Sequence, residues 1–441
     1  MPHAEIGSLR TGRRQVLGFG GGWAAGALWT SLFADAAETL EPVRVAVVGT
    51  GARGSDLIRS LTTIRGVELV ALADDYPPHL ERAAAYAGPQ ARSYADFRRM
   101  LDEAKPQAVV VAVPLHLHHR VASESLAAGA DVFCEKTMCR SIDEARALAA
   151  QVESSGRVFQ VGLQRRANPI YRQAAAMVQS GVLGEVTAVK AQWHRHNNWR
   201  RPVPVPKGDT AWSTLERKLN WRLYREFSGG LMTELGSHQM DVVNWLLGAM
   251  PKRVMASGGV DYWRDGREVC DNVFCTYEYE LPAAPRAAAS SLAASSRTVR
   301  VTYSSLCNNA YEGAAELVMG TKGTLYLTST KGLFYREKQP DDIGWQARST
   351  AREADPNASI VTSGKTLKLS NSPWAHRGEP LEIDNLIGDD TRDELVAFVD
   401  HVRRGDPRTI CDAHEGLRDA ITVLTANRAV DERTMLDVPA V

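Results

Sequence analysis

Short apolar runs alternate with helical patterns in the first half of the chain. Residues Val43 to Val48 are almost all apolar and rich in valine, which predicts a parallel strand buried on both faces. Further strands are predicted at 68–73, 108–113, 131–134 and 158–161, and helices after residue 55 and at 79–87, 121–128 and 141–155. Ser141 and Glu144 form a capping box for the last of these helices. The alternation predicts an α/β domain with a parallel sheet over residues 42–165.

After residue 166 the pattern changes to strands of mixed amphipathicity, with hairpin signals such as Asp265-Gly266. It predicts an α+β domain with a large, mainly antiparallel sheet over residues 166–390. Segments 281–297 and 336–390 are predicted to be surface loops, and the second is long enough to be a lid or an oligomer arm. Thr391 and Glu394 form a further capping box, so helices in 391–441 are expected to pack back near the first domain.

Composition and charge exclude several classes of partner. The 441 residues contain 52 Lys and Arg against 52 Asp and Glu, so there is no surplus of positive charge to bind nucleic acid or an anionic membrane. After residue 40 no stretch approaches the ~20 apolar residues of a membrane span. Six cysteines are too few for a disulfide framework in a chain of this length, which favours buried free thiols.

The first 37 residues differ from the rest of the chain. Arg13 and Arg14 precede a glycine-interrupted apolar stretch, and Ala34-Asp35-Ala36 offers a small-residue cleavage site. This pattern predicts a twin-arginine signal peptide and a periplasmic or otherwise exported protein. The alternative is a glycine-rich tail with an incidental arginine pair.

A glycine-rich motif follows the first predicted strand. The segment Gly49-Thr50-Gly51-Ala52-Arg53-Gly54 matches G-x-G-x-x-G between a strand and a helix, where free backbone N–H groups bind a pyrophosphate. Asp74 ends the next strand at the position of the carboxylate that accepts the ribose hydroxyls. Because Asp75 follows it, a 2′-phosphate would meet two negative charges. The sequence therefore predicts a Rossmann domain that binds NAD, with NADP left open.

Two segments of this domain carry a more specific resemblance. Val113-Pro114-Leu115-His116-Leu117-His118 and Gly129-Ala130-Asp131-Val132-Phe133-Cys134-Glu135-Lys136 resemble the glucose-fructose oxidoreductase and inositol dehydrogenase (Gfo/Idh/MocA) family. The resemblance implies a catalytic Lys136 beside the nicotinamide, with Pro114, His118 and Glu135 at the cofactor. Thr137 stands where proline is usual in that family, which is expected to loosen the backbone near the lysine.

The segment Gly229 to Asp241 resembles the signature of the second domain in the same family. The resemblance implies that His238 and Glu234 are catalytic and that Asp241 lies at the substrate. Oxidation of a secondary alcohol needs a group that removes the hydroxyl proton, and His238 suits that role because the pKa of histidine lies near operating pH. Lys136 would stabilise the alkoxide or share the proton, and Glu234 would orient both. A partly buried polar helix face is the alternative reading of this segment.

Several aromatic and hydrogen-bonding residues can form a sugar-binding surface. The candidates for substrate contact are Gln164, Arg165, Tyr171, His194, Trp199 and Asp241. The aromatic segment 193–199 can equally be a loop packed against another subunit, and the protein is expected to be a homo-oligomer. His116, His118 and His119 have no acidic or cysteine ligand beside them, so no metal site is predicted.

Three functions are compatible with these residues. The first is an NAD-dependent oxidoreductase that acts on a hydroxyl of a sugar, glycoside or polyol. The second is a redox-neutral glycoside hydrolase that oxidises, eliminates and reduces again with one bound cofactor. The third is a non-catalytic dinucleotide-binding protein, which the presence of both Lys136 and His238 disfavours. An exported enzyme must keep its cofactor bound, since free NAD is not expected outside the cytoplasm.

Overall fold

The apolar run Val43–Val48 forms the first strand of a parallel sheet, as predicted. The computed structural model describes residues 41–282, 296–337, 379–380 and 389–441. In this part of the chain the sheet has six strands: β1 (Val43–Val48), β2 (Val67–Ala73), β3 (Arg92–Tyr94), β4 (Ala108–Val111), β5 (Asp131–Glu135) and β6 (Phe159–Gly162). Their order is β3-β2-β1-β4-β5-β6, with every neighbouring pair parallel. The Rossmann fold is confirmed.

Five helices connect these strands: α1 (Ala52–Leu61), α2 (Pro77–Ala87), α3 (Phe97–Ala104), α4 (His118–Ala127) and α5 (Ile142–Ser155). The capping box of Ser141 and Glu144 is confirmed, with both of its hydrogen bonds present. Strand β3 and helix α3 were not predicted. Helix α1 begins at Ala52, earlier than expected, so the second half of the glycine motif is helical.

The second half of the chain forms a mainly antiparallel sheet, which confirms the predicted fold class. In the described residues it has nine strands: β7 (Val186–His196), β8 (Arg253–Gly259), β9 (Asn272–Pro282), β10 (Ser296–Leu306), β11 (Asn308–Gly320), β12 (Gly323–Leu327), β13 (Gly332–Arg336), β14 (Glu379–Pro380) and β15 (Leu436–Asp437). Their order is β14-β13-β12-β11-β7-β10-β9-β8-β15, and β7 with β10 is the parallel pair. The Asp265-Gly266 turn lies in the long connection from β8 to β9, so it does not close a tight hairpin.

The remaining helices of the described residues are α6 (Pro169–Gln179), α7 (Trp212–Leu219), α8 (Ser237–Leu247), α9 (Asp390–Arg404) and α10 (Ala413–Glu432). The last two helices contact helices of the Rossmann half: α9 contacts α1, and α10 contacts α5. Phe398 of α9 lies in one hydrophobic cluster with Val45 and Val47, so it covers one face of β1. This packing closes the core beside the glycine motif.

Two predictions for the C-terminal region need correction. Helix α9 is capped by Asp389, whose carboxylate accepts from the backbone N–H groups of Thr391 and Arg392, so the predicted Thr391–Glu394 capping box is wrong. Glu394 instead pairs with Arg53. The predicted loops 281–297 and 336–390 lie mostly outside the described residues, and the parts that are described belong to strands β9, β10, β13 and β14 and to the start of α9.

All six cysteines are free thiols, and five of them are buried. Cys270 lies before β9, and Cys275 lies within it. No helix of the described residues is long and apolar enough to cross a membrane.

Candidate functional site

The glycine motif forms a tight turn against the neighbouring strand. Gly49 has a φ of +88°, and a Cβ atom there would lie 2.6 Å from the carbonyl carbon of Ala112. A Cβ atom on Gly54 would lie 1.9 Å from the carbonyl oxygen of Gly49. A Cβ atom on Gly51 would meet only the ring of His79, at 3.7 Å, so this part of the loop is open to a ligand. The turn therefore fits a pyrophosphate at the N-terminus of α1.

Asp74 follows β2 and is held by the same turn. Its Oδ2 accepts hydrogen bonds from the backbone N–H of Thr50 at 2.7 Å, and its Oδ1 accepts from the N–H of Tyr76 at 2.9 Å. Burial acts to raise the pKa of Asp74, but the His79 ring, 3.8 Å from the carboxylate, and the hydrogen bonds from these backbone groups outweigh it, so the pKa is lowered. Asp74 is thus ionised, as an acceptor for ribose hydroxyls would need to be. The neighbouring Asp75 pairs with Lys218 at 2.9 Å.

One cavity of about 760 Å³, here called the cofactor cavity, joins the turn to the predicted catalytic residues. Its walls include the predicted residues Gly49, Gly51, Ala52, Arg53, Asp74, Pro114, His118, Glu135, Lys136, Gln164, Glu234 and His238. It therefore brings together side chains from both halves of the chain. Gly54 does not line it and serves the close packing of the turn.

Lys136 extends from the end of β5 towards the second half of the chain. Its Nζ donates a hydrogen bond to the backbone carbonyl of Glu234 at 2.8 Å. Burial lowers the pKa of Lys136 despite the opposing effects of the Glu234 and Glu135 carboxylates. The amine is therefore easier to deprotonate than an exposed lysine, which is the property a catalytic base requires.

Thr137 anchors the residue next to this lysine. Its side chain is buried, and its hydroxyl lies 2.5 Å from Ser237 Oγ and donates to the carbonyl of Thr233 at 3.1 Å. The peptide bond between Lys136 and Thr137 is cis. The sequence predicted a looser backbone in the absence of proline, whereas the structure has two side-chain hydrogen bonds that tie this segment to the helix.

Glu234 and His238 lie where a π-helical turn, Met232–Gly236, leads into α8. The Glu234 carboxylate accepts from Arg222 Nε at 2.7 Å. Burial acts to raise the pKa of Glu234, but Arg222 and Lys136 outweigh it, so the pKa is lowered and the group is ionised. A fixed carboxylate thus stands beside the lysine.

His238 is a neutral imidazole in this environment. Burial, and then the positive charge of Lys136, hold its pKa well below the usual histidine value. Its Nδ1 has no hydrogen-bond partner among the described residues, and its ring centroid lies 5.3 Å from that of Trp193. The sequence-based expectation of a histidine that titrates near operating pH is therefore not met, and Lys136 becomes the better candidate for the base.

The cofactor side of the cavity also contains a buried ionic network. Arg53 pairs with Glu135 at 2.5 Å and with Glu394 at 3.0 Å, so Glu135 is fixed beside the lysine. The ring of His118 lies between two backbone carbonyls. Its Nδ1 is 2.9 Å from the carbonyl oxygen of Thr137, and its Nε2 is 3.0 Å from the carbonyl oxygen of Val113. These residues stabilise the cavity wall.

The structure separates the predicted substrate residues into groups. Gln164 lines the cavity, and the Arg165 guanidinium pairs with Asp390 at 3.3 Å and lies 6.0 Å from the Trp193 ring. The Trp199 ring lies 5.2 Å from the guanidinium of Arg195. The part of the cavity lined by Lys136, Gln164, Arg222, Glu234 and His238 is called its substrate end here, and neither Arg165 nor Trp199 lines the cavity.

Three other predicted substrate residues lie away from it. Asp241 is buried in an ion pair with Arg166 at 2.7 Å, and the Tyr171 hydroxyl is buried and donates to Glu316 at 2.7 Å. His194 bonds to Ser304 at 2.9 Å on the opposite face of the sheet from Trp193, because successive strand residues alternate between faces. None of the three lines the cofactor cavity.

Two arginines near the predicted catalytic residues, Arg195 and Arg222, were not predicted from the sequence. Arg222 fixes Glu234, yet it lies in a 3-10 turn, Trp221–Leu223, whose proximity to the π-helical turn no local pattern reveals. Arg195 lies between His194 and His196 in a segment whose aromatic residues gave the stronger sequence signal. Within the described residues, no group of three or more His, Cys, Asp or Glu residues is placed to hold a metal ion.

Family comparisons agree with this architecture. The Gfo/Idh/MocA model described as "Oxidoreductase family, NAD-binding Rossmann fold" matches residues 43–163, and the model described as "Oxidoreductase family, C-terminal alpha/beta domain" matches residues 175–438. Together they cover nearly the whole described chain.

Individual relatives match over about half of this chain. Inositol 2-dehydrogenase 1 of Saccharopolyspora erythraea is 32% identical over 48% of this chain and 56% of its own. The 2,7-anhydro-N-acetylneuraminate hydratase of Mediterraneibacter gnavus is 26% identical over 50% of this chain and 53% of its own. The chain thus spans about half the length of these curated relatives.

Solved structures show the same fold over a greater length. Levoglucosan dehydrogenase in complex with NADH is 17% identical, with a TM-score of 0.65 over 91% of this chain and all of the other. An oxidoreductase domain protein from Kribbella flavida is 20% identical, with a TM-score of 0.65 over 90% of this chain and all of the other. At these identities the likeness concerns the fold.

Proposed function

The chain belongs to the Gfo/Idh/MocA oxidoreductase family, whose Rossmann domain binds NAD, and on this premise we propose that it oxidises or reduces a hydroxyl group of a sugar, glycoside or polyol. One observation carries the proposal: Lys136 Nζ lies 2.8 Å from the Glu234 carbonyl, in a cavity that also contains the glycine turn, Asp74 and His238. A proton-accepting amine and the cofactor turn therefore open into one space.

The cofactor, when bound, supplies or accepts the hydride, and the residues of this chain handle the proton. The neutral amine of Lys136 removes the hydroxyl proton as the alcohol is oxidised, and the resulting ammonium faces the carbonyl oxygen of the product. The Glu234 carboxylate stabilises that ammonium. His238, as a neutral imidazole, is suited to orient the hydroxyl by a hydrogen bond.

A redox-neutral glycoside hydrolase is the second candidate, since its first step uses the same residues. The relative named as a hydratase supports keeping it, because hydration of a substrate involves no net oxidation. The two candidates differ in whether reduced cofactor accumulates or an aglycone is released.

Export of the protein with its cofactor bound is also part of the proposal. It rests on Arg13, Arg14 and the small-residue site after them, which lie outside the described residues. A cofactor retained over many turnovers needs a dissociation constant of about 1 nM, roughly 12 kcal/mol of binding free energy. A second sugar, or a later step on the first, would then have to return the hydride.

The test is incubation of the purified protein with a panel of simple sugars, polyols and aryl glycosides. Absorbance of reduced cofactor and release of the aglycone are followed together, with Lys136→Ala as the control. A lysine-dependent signal in either channel is expected. Absence of both signals across the panel would count against the proposal.

A further inference from the structure

The substrate end of the cofactor cavity contains more positive than negative side chains. Lys136 and Arg222 line it, and Arg195 lies close enough for its pKa to respond to both Arg222 and Glu234. Glu234 is the carboxylate that pairs with Arg222, the nearby Glu135 is already paired with Arg53, and His238 is neutral. Even with Lys136 deprotonated, two guanidinium groups face one carboxylate. An anion in this end of the cavity would therefore complete the charge balance.

Arg195 faces the site from the sheet. It lies two residues after Trp193 on β7, so both side chains point to the same face, and the Trp193 ring contacts His238. The Arg195 guanidinium lies 5.2 Å from the ring centroid of Trp199. Stacking on an indole fixes the plane of a guanidinium while its N–H groups remain available.

Arg195 differs from two other arginines of this region, Arg200 and Arg267, in having no acidic partner. Arg200 pairs with Asp265 at 3.3 Å, and Arg267 pairs with the same carboxylate at 2.8 Å. Among the described residues, no carboxylate lies within 4 Å of the Arg195 guanidinium, and no protein atom accepts a hydrogen bond from it. A partly desolvated cation without an anion is unfavourable unless a ligand supplies the missing charge.

We propose that Arg195, together with Arg222, binds an oxyanion substituent of the sugar, so that the substrates are acidic sugars such as hexuronates or their glycosides. This inference rests on the proposed function, because the ligand is the sugar of that reaction. The guanidinium fork matches the two oxygens of a carboxylate, and Arg222 still has N–H groups that Glu234 does not use. A phosphate or sulfate ester presents the same oxyanion chemistry.

The experiment measures sugar binding without turnover. Protein saturated with NADH cannot accept a hydride from an alcohol, so calorimetric titration reports equilibrium binding alone. Glucuronate, galacturonate and mannuronate are each compared with the parent hexose, and glucose 6-phosphate and glucose 6-sulfate distinguish the kind of oxyanion. At least one acidic sugar is expected to bind about 10-fold or more tightly than its neutral parent.

Variants connect this preference to the arginine. Arg195→Gln should lower the ratio of acidic to neutral affinity by about 10- to 100-fold, the range expected when a charge-assisted hydrogen bond is lost. Arg300→Gln is the matched control, since Arg300 is exposed on the neighbouring strand β10 and pairs with Glu278 at 3.3 Å. That control should keep the ratio of the wild type.

The inference is overturned if every neutral parent binds as tightly as its acidic counterpart, if no acidic sugar binds below about 10 mM, or if the preference survives in Arg195→Gln. Preference for the phosphate or sulfate ester supports it and identifies the anion. Failure of the proposed function looks different: an acidic sugar binds in an Arg195-dependent manner, yet no hydride transfer follows when NADH is replaced by NAD.

Discussion

Lys136 combines a fixed position with a lowered pKa. Its amine is held by the Glu234 carbonyl, and burial favours the neutral form. The resemblance of the Glu135-Lys136 segment to a known family was enough to select this residue from sequence. The low pKa of His238 could not be predicted from the resemblance, because the burial and the nearby positive charge that cause it exist only in the folded chain.

Replacing Lys136 by alanine should lower turnover by about 10²-fold or more while NAD stays bound, since acid–base and electrostatic groups contribute on that scale. In the wild type, kcat/KM should rise with pH up to a pKa below the usual lysine value of about 10.4, because protonated Lys136 cannot take a proton. Lys190→Ala, an exposed lysine on β7, is the control. Near-normal turnover in Lys136→Ala would remove the assignment.

Thr137 should act as a positioning residue for this lysine. Thr137→Val removes the hydroxyl that contacts Ser237 and Thr233 and should lower kcat about 5-fold, corresponding to roughly 1 kcal/mol for a hydrogen bond. The dissociation constant for NAD should stay unchanged. Thr137→Ser keeps the hydroxyl and should restore kcat; equal impairment in both variants would mean that packing, not the hydrogen bonds, is what matters.

At the scale of elements, the sequence predicted those strands and helices whose bounds are determined by a local pattern of residues. Strand β1 matches its predicted bounds, and α5 has the capping box expected at Ser141. Strand β3 has only three residues, too few for a periodic pattern. The box predicted at Thr391 failed because Arg53 is a distant partner that recruits Glu394, and Asp389 supplies the cap instead.

Helix α6 is joined to β11 by a buried acid whose titration should affect stability. Burial raises the pKa of Glu316 from 4.5 to about 7, although Arg165 and the hydrogen bond from Tyr171 oppose this shift. Between pH 4.5 and about pH 7 the folded state therefore binds one proton more than the unfolded state, and the free energy of unfolding falls as the pH rises through this range. The loss is roughly 3 kcal/mol, at about 1.4 kcal/mol for each pKa unit.

Glu316→Gln should abolish this part of the pH dependence, because the amide cannot ionise. Urea unfolding at pH 4.5 and pH 8 should show wild type losing stability relative to the variant as pH rises. Glu280→Gln, an exposed position on β9, should behave like the wild type. If the free energies of unfolding of wild type and Glu316→Gln differ by the same amount at both pH values, the raised pKa is contradicted.

At the scale of the whole molecule, the site forms where the carboxyl ends of the parallel strands meet the π-helical turn before α8. The hydrogen bond from Lys136 to Glu234 joins residues 98 positions apart. The resemblance identified both residues, but the distance between them depends on tertiary packing. The same holds for the hydrogen bond from Arg222 to Glu234 and for the ion pair that Asp241 forms with Arg166. Composition and local pattern contain no signal for these contacts.

Export remains a prediction at this scale. Changing both Arg13 and Arg14 to Lys should retain the protein in the cytoplasm, since the arginine pair is what the predicted signal depends on. Fractionation of cells should show wild type outside the cytoplasm with NAD bound, released on denaturation. Unchanged export of the double variant would contradict the twin-arginine assignment.

The central claim is that a hydride passes between a sugar carbon and NAD beside Lys136, and a label tests it most directly. A sugar that the protein consumes is supplied with deuterium on its ring carbons, one turnover is quenched, and the nicotinamide is analysed by mass spectrometry. The account predicts one deuterium in the reduced cofactor with wild type, and about 10²-fold slower labelling with Lys136→Ala. Consumption of the labelled sugar with no deuterium reaching the cofactor would contradict it.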